Sequence, residues 1–351
     1  MRKPGRLAAV CILLLVSSVG MAQDKGTAQD KNLLTLAHDL GAQLEWDPLR
    51  DAGVLVVGED RIALQVGADL AVINYRLKVS MDAPVRRNGV VWLTTGAVKA
   101  LGDGLQEDRL AHAGEHMRVG AIVLDPGHGG KDPGATGSYQ EGTRTVMLRE
   151  KDITLSVATK LGALLQAAYP DKQVVYTRTT DEFIDLDARP QIANVLQEKS
   201  GDMVLYVSIH ANSSPLKVTK TSGFEVWYLP PDYQRKLLDA GDVQPEDQDI
   251  LKILNGMRQE EVTIETLAMA SLVSSGLQAS IGDRSPNRGM LQAEWNVVRN
   301  ARMPAVLVEV GFVNNPDEAK RLADPAYLKD VAQGIYTGIR ASIARFEQRQ
   351  E

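Results

Sequence analysis

Ile122-Val-Leu-Asp-Pro-Gly-His-Gly-Gly130 joins an apolar run to a glycine-rich turn that carries one histidine, His128. The arrangement returns at Val204-Leu-Tyr-Val-Ser-Ile-His-Ala-Asn212, where His210 closes a second apolar run. Only five histidines occur in the chain. Two of them at the exits of β-rich, near-continuous apolar runs predict a metal site at the ends of buried strands.

Outward from these stretches the pattern is strand alternating with helix. Runs rich in β-branched residues over 119–124, 173–177, 203–209, 223–229 and 305–310 read as strands. Amphipathic stretches lie between them. One covers 151–168, with Ile153, Val157, Leu161, Leu164 and Leu165 on one face; others cover 187–198, 265–281 and a C-terminal segment from Tyr327. Alternation of this kind predicts an α/β fold, a mostly parallel sheet with helices on both faces. Sites in such sheets form at the carboxyl ends of the strands. His128 is expected after the first strand, His210 after the third and Glu309 at the end of the last, while Glu150 opens the first long helix on the same edge.

Each group has an ordinary explanation when taken alone. A glutamate in the first turn of a helix suits the macrodipole, and a glycine-rich loop can bind an anion through its amides. Glu309 is harder to explain away, because a carboxylate inside Ala305-Val-Leu-Val-Glu-Val-Gly-Phe312 is costly to bury without a partner. Together the four predict a hydrolytic metal centre: His128, Glu150 and His210 as ligands with one position open, and Glu309 as general base and later proton donor. Ferrous iron can take the same ligand types. It gives no role to a second buried glutamate, so Zn2+ is the expected ion.

The rest of the chain sets the context. Its 351 residues and 44% hydrophobic content suit two domains. A net charge of −6 argues against a non-specific nucleic-acid binder. Residues 1–22 read as a signal peptide: Arg2, Lys3 and Arg6 precede a short apolar core, and Gly20-Met-Ala22 supplies small residues for cleavage. The competing reading is a retained N-terminal anchor. Cleavage removes Cys11, the only cysteine, as befits a periplasmic or secreted protein. Residues 31–100 alternate in short runs (43–46, 53–57, 61–66, 70–75, 90–93) after a helix over 33–40, which predicts a small β-rich module. A polar linker over 101–118 follows. His112 and His116 stand there at helical i, i+4 spacing, and the solvated reading outweighs a second metal site.

Residues 119–345 closely resemble the zinc-dependent N-acetylmuramoyl-L-alanine amidases, cell-wall hydrolases of the amidase-3 type. The resemblance rests on Val123-Leu-Asp-Pro-Gly-His-Gly-Gly130, Glu150-Lys-Asp152, Tyr176-Thr-Arg-Thr179, Ser208-Ile-His-Ala-Asn212, Gly223-Phe-Glu-Val-Trp227, Asn287-Arg-Gly289 and Met303-Pro-Ala-Val-Leu-Val-Glu-Val-Gly-Phe-Val-Asn314, in that order. It implies hydrolysis of the amide between N-acetylmuramic acid and L-alanine in peptidoglycan, with the roles already given to His128, Glu150, His210 and Glu309. The alternatives are a zinc peptidase acting on wall peptides and a non-catalytic wall-binding protein. Arg178, Arg189 and Asn194 also match, and are expected to be structural hydrogen-bonding residues around the rim. The N-terminal module loosely resembles that of copper amine oxidases, but its single histidine, His38, implies no copper.

Two departures from the family stand out. The connection before Glu150 is long and makes Glu141 a rival ligand. Residues 230–262 form an acidic insertion with a helix expected over 247–258. Some members of the family block the site with a helix inserted here and await an activator protein. The insertion is expected either to do the same, with Glu260 or Glu261 at the metal's open position, or to be a solvated excursion.

Overall fold

A computed structural model describes residues 30–48, 51–58, 60–74, 77–111, 118–216, 218–233, 235, 237 and 251–347. The expected signal peptide, His112, His116 and much of the insertion lie outside the described residues. The chain divides into two compact units between Asp108 and Arg109. Among the described residues, no helix is long and apolar enough to cross a membrane.

The first unit runs β1 (Lys31–Asn32), α1 (Leu33–Asp39), β2 (Gln43–Asp47), β3 (Ala52–Val57), β4 (Asp60–Gln65), β5 (Leu70–Ile73), β6 (Leu77–Ser80), β7 (Val85–Arg87), β8 (Val90–Leu93) and α2 (Thr95–Ala111). It is the β-rich module that alternation predicts: an antiparallel meander β2-β3-β4-β5-β6 beside a three-stranded sheet β1-β8-β7. Where a linker is expected, the chain is helical as far as Ala111. Ala97, Leu101 and Leu105 recur every fourth residue and are buried in the module's core. The surrounding polar residues hid that stripe.

The second unit runs β9 (Val119–Pro126), β10 (Thr136–Glu141), β11 (Arg144–Arg149), α3 (Glu150–Ala168), β12 (Gln173–Tyr176), α4 (Ala188–Ser200), β13 (Met203–Asn212), β14 (Phe224–Tyr228), α5 (Leu251–Ile281), β15 (Asn287–Gln292), α6 (Asn296–Arg299), β16 (Ala305–Phe312), α7 (Pro316–Leu322) and α8 (Pro325–Glu347). Six strands form one sheet in the order β12-β9-β13-β16-β14-β15. The first four are mutually parallel, and β14 pairs antiparallel to β16. The central strands are apolar on both sides because both faces are covered. Val157, Leu161 and Leu165 of α3 and Ile335, Ile339 and Ile343 of α8 pack with Ile122, Leu124, Val306 and Val308 on one face. On the other, Ala193 of α4 and Val297 and Val298 of α6 meet Val123, Tyr206 and Leu307. Each such aliphatic side chain contributes about 1.5–3 kcal/mol on burial.

The structure corrects two sequence expectations, on α5 and on His210, and gives the long connection before Glu150 its form. The helices expected over 247–258 and 265–281 are one helix, α5, since residues 257–264 hold neither proline nor glycine to interrupt it. The long connection before Glu150 is a β-hairpin, β10–β11, turned at Gly142 with φ +61°. His210 lies inside β13, in register with Glu309 of β16, rather than beyond the strand's end. Between α5 and α8 the backbones meet almost directly. A Cβ added at Gly338 would stand 2.4 Å from the Val273 Cα, and one at Gly276 2.3 Å from the Gly334 carbonyl oxygen.

Candidate metal centre

Where β9 ends, the chain turns sharply and His128 takes a left-handed backbone, φ +61°. For a residue with a Cβ this costs roughly 1–2 kcal/mol, and two buried arginines hold the loop against it. Arg178 Nη2 donates to the Gly127 carbonyl at 2.8 Å, and its Nε to that of Pro126 at 2.9 Å. Arg189 donates through Nη1 to the Pro126 carbonyl at 2.9 Å and through Nη2 to that of His128 at 2.7 Å. Asn194 sits elsewhere. It joins α4 to Asn300 and Arg302, ahead of β16 and so at the sheet's opposite edge. Only part of the expected rim network is therefore at the rim.

Beneath the arginines lies Asp125, fully buried. It accepts from Arg189 at 2.8 Å, Thr177 at 2.6 Å, Tyr206 at 2.8 Å and Ser208 at 2.8 Å. Burial raises the proton affinity of this carboxyl, but Arg189, the hydroxyls and His210 outweigh it and hold the group below the usual carboxylate range.

The three expected ligands come together. One ligand atom from each of His128, Glu150 and His210 lies within 4.8 Å of the others. Glu150 Oε2 is 3.1 Å from His128 Nε2, and Oε1 is 2.9 Å from His210 Nδ1. The carboxylate also accepts from the Ala135 and Ala211 amides at 2.8 and 3.0 Å, which fixes both oxygens. Burial opposes its charge, yet the two histidines prevail and hold the carboxyl far below its ordinary range. Burial also lowers the basicity of His128, and Glu150 and Asp132 more than reverse that. Glycine makes the cluster fit: a Cβ at Gly127 would meet the His210 ring at 2.4 Å, and one at Gly134 would meet Glu150 Oε2 at 2.6 Å. Glu141, the rival ligand, is exposed near the tip of the hairpin, paired in register with Arg144, and takes no part in the cluster.

Asp132 was not singled out from sequence. Its Oδ2 lies 2.8 Å from His128 Nδ1, which leaves Nε2 to face the cluster. A carboxylate four residues beyond a histidine in a tight turn was the available signal.

Glu309 stands beside the cluster through its register with His210. Part of its surface is open, but Oε2 is closed off and has no hydrogen-bond partner among the described residues. Burial, and secondarily the charges of Glu150 and Glu225, push its proton affinity well above that of an ordinary glutamate. Glu260 is exposed on α5, and Glu261 pairs with Arg258 on the same helix. Neither belongs to the three-residue group.

Two imidazoles and one carboxylate converging at a strand edge beside an orphaned carboxyl oxygen fit a metal ion of the zinc type, in both donor chemistry and spacing. The fold and this site define an α/β domain with a candidate metal centre at the edge of its sheet. A model of the family described as Amidase_3, N-acetylmuramoyl-L-alanine amidase, matches residues 122–341, and the chain belongs to that family. A probable N-acetylmuramoyl-L-alanine amidase AmiB of Haemophilus influenzae is 32% identical over 241 residues, covering 63% of this chain and 51% of that protein. The amidase AmiC of Escherichia coli is 30% identical, over 64% of this chain and 52% of its own length. The chain thus spans about half the length of these two relatives. The solved amidase AmiC2 of Nostoc punctiforme is 30% identical, over 63% of this chain and 95% of that one, with a TM-score of 0.46.

Proposed function

We propose that this protein is a zinc-dependent N-acetylmuramoyl-L-alanine amidase. It hydrolyses the amide between the lactyl group of N-acetylmuramic acid and L-alanine in peptidoglycan, outside the cytoplasm. The observation that carries this reading is the His128–Glu150–His210 cluster with the unpartnered Glu309 oxygen beside it, in a chain of this family.

His128, Glu150 and His210 would hold the ion. Zinc bound there supplies Lewis-acid polarisation of the scissile carbonyl and of water. The chain's own contribution is positional and protonic. Asp132 fixes the tautomer and direction of the His128 ring. The Ala135 and Ala211 amides stop the Glu150 carboxylate from rotating. Glu309, whose proton affinity is raised by burial, takes the proton of the attacking water at a carboxylate oxygen. It then returns that proton to the departing L-alanine nitrogen, so that one group is base and then acid. Ligand and base come from adjacent strands in fixed register, which keeps their separation constant through the reaction.

The test is digestion of purified peptidoglycan with analysis of the products by mass spectrometry. The expected products are peptides with free N-terminal L-alanine and intact glycan strands. Release should stop with a chelator and return with zinc. Products cut at internal peptide bonds would replace this reading with a zinc peptidase.

A further inference from the structure

The carboxyl edge of the sheet carries one more built feature. In β15 three steps, from Asn287 to Met290, oppose two steps in β14, from Phe224 to Val226, so Arg288-Gly289 forms a bulge. Bulges of this kind re-aim a side chain. Gly289 has φ +97°, and Gly223 leaves room for the arginine to lie across it, since a Cβ there would meet the Arg288 Cγ at 2.7 Å.

The re-aimed side chain is then held from two strands, β14 and β16. Arg288 Nε donates to Glu225 Oε1 at 2.6 Å. Its guanidinium carbon lies 5.3 Å from the centroid of the Phe312 ring, at the end of β16. The other oxygen of Glu225 accepts from Asn212 at 2.9 Å and from the Trp227 indole at 3.0 Å. An arginine docked face to face with both carboxylate oxygens would spend its Nη groups on them. Here Oε2 is taken by other donors, so Arg288 is held side-on by one nitrogen. Its two Nη groups have no partner among the described residues, and the side chain is 40% exposed. Glu225 itself stands opposite Glu309 across β14 and β16, and Asn212 is two residues beyond His210. The guanidinium is therefore anchored to the residue that faces Glu309 across the two strands.

We propose that Arg288 is a specificity-determining residue of the cleft, binding a carboxylate of the substrate's stem peptide through its two free Nη groups. This rests on the amidase reading, which supplies the chemistry of the ligand. The lactyl carboxyl of the sugar is consumed in the scissile amide and the glycan is otherwise neutral, so a carboxylate in the cleft must come from the peptide on the leaving-amine side. A planar guanidinium with both Nη groups open is the group that grips a carboxylate bidentately.

The experiment compares N-acetylmuramoyl tripeptide with its carboxyls free and the same compound with them amidated. The zinc-loaded wild type, Arg288→Met and Arg288→Lys are the enzymes compared. Wild type should prefer the free acid, chiefly through KM, by about tenfold or more. Arg288→Met should bring the ratio of the two KM values close to one, and Arg288→Lys should restore part of it. A Met variant that loses both substrates in equal proportion, with the ratio kept, would show that Arg288 only supports Glu225 and would overturn the proposal. A measurement on wild type alone guards against misfolding of the variants: the released tripeptide acid should inhibit more strongly than its amide, and equal inhibition would also overturn it. If wild type frees no L-alanine terminus from either compound or from whole peptidoglycan, the amidase reading itself fails. Activity without charge preference sinks only the role of Arg288.

Discussion

Asp125 and Glu309 lie on β9 and β16, the two strands that flank β13, and burial acts on both carboxyls in the same direction. Their outcomes are opposite. Asp125 has Arg189 and three hydroxyls around it and is held in its charged form. Glu309 has an oxygen with no partner among the described residues, has Glu150 and Glu225 as like-charged neighbours, and in the metal-free protein is driven towards its neutral form. Burial alone therefore does not decide what a carboxyl does in this sheet; the partners built around it do. The satisfied group holds up the loop that bears His128, whereas the unsatisfied one keeps its lone pairs for a reacting proton.

The sharpest way to break the comparison is to exchange the carboxyls for amides one at a time. Glu309→Gln should lower amide hydrolysis by roughly 10²–10⁴-fold. The metal content, measured by atomic absorption, should stay at the wild-type level, because the ligands are untouched. Asp125→Asn should act on stability instead. It leaves the Arg189 charge buried without its counter-ion and should cost about 3–5 kcal/mol in urea unfolding.

The two groups should also respond to pH with opposite signs. Asp125 has a lowered folded pKa, so its contribution is complete above the unfolded value of about 3.9 and is lost as the pH falls through the folded value. Glu309 has a raised folded pKa. In the metal-free protein its contribution is complete below about 4.3 and is lost as the pH rises through the folded value. Urea midpoints across this range should show a loss on the acid side that Asp125→Asn flattens. An unchanged acid slope in that variant would remove Asp125 from the account.

A smaller effect is expected at Asp132, which touches the cluster only through His128. Asp132→Asn should weaken zinc binding by about 10–100-fold in competition with a chromophoric chelator. Turnover of the saturated enzyme should change less than in Glu309→Gln. Equal affinities would show that the His128 ring is oriented without it.

Much of this site could be read from the chain because apolar runs mark their own ends. The stretches around His128, His210 and Glu309 each carry a polar group at the end of a β-branched run, and a parallel sheet gathers such ends onto one edge. Glu150 was legible as the opening of an amphipathic helix, although only the hairpin β10–β11 shows why Glu141 is carried away from it. What could not be read was register and packing across elements. Nothing local to Asn287-Arg-Gly289 announces a bulge, because a bulge is a mismatch between two strands. The polar surface of α2 concealed a helix whose buried face, Ala97, Leu101 and Leu105, answers to distant partners in the module's core. Asn194, in an ordinary helix, gives no sign of which edge of the sheet it will reach.

The glycine contact between α5 and α8 has a mechanical consequence. With the Val273 backbone resting on Gly338 and Gly276 on Gly334, translation of α5 along its neighbour would drive main chain into main chain. The C-terminal half of α5 is a fixed fulcrum. Displacement of the first turns of α5 would have to pivot about that fulcrum, with the lever arm set by the turns that precede Val273.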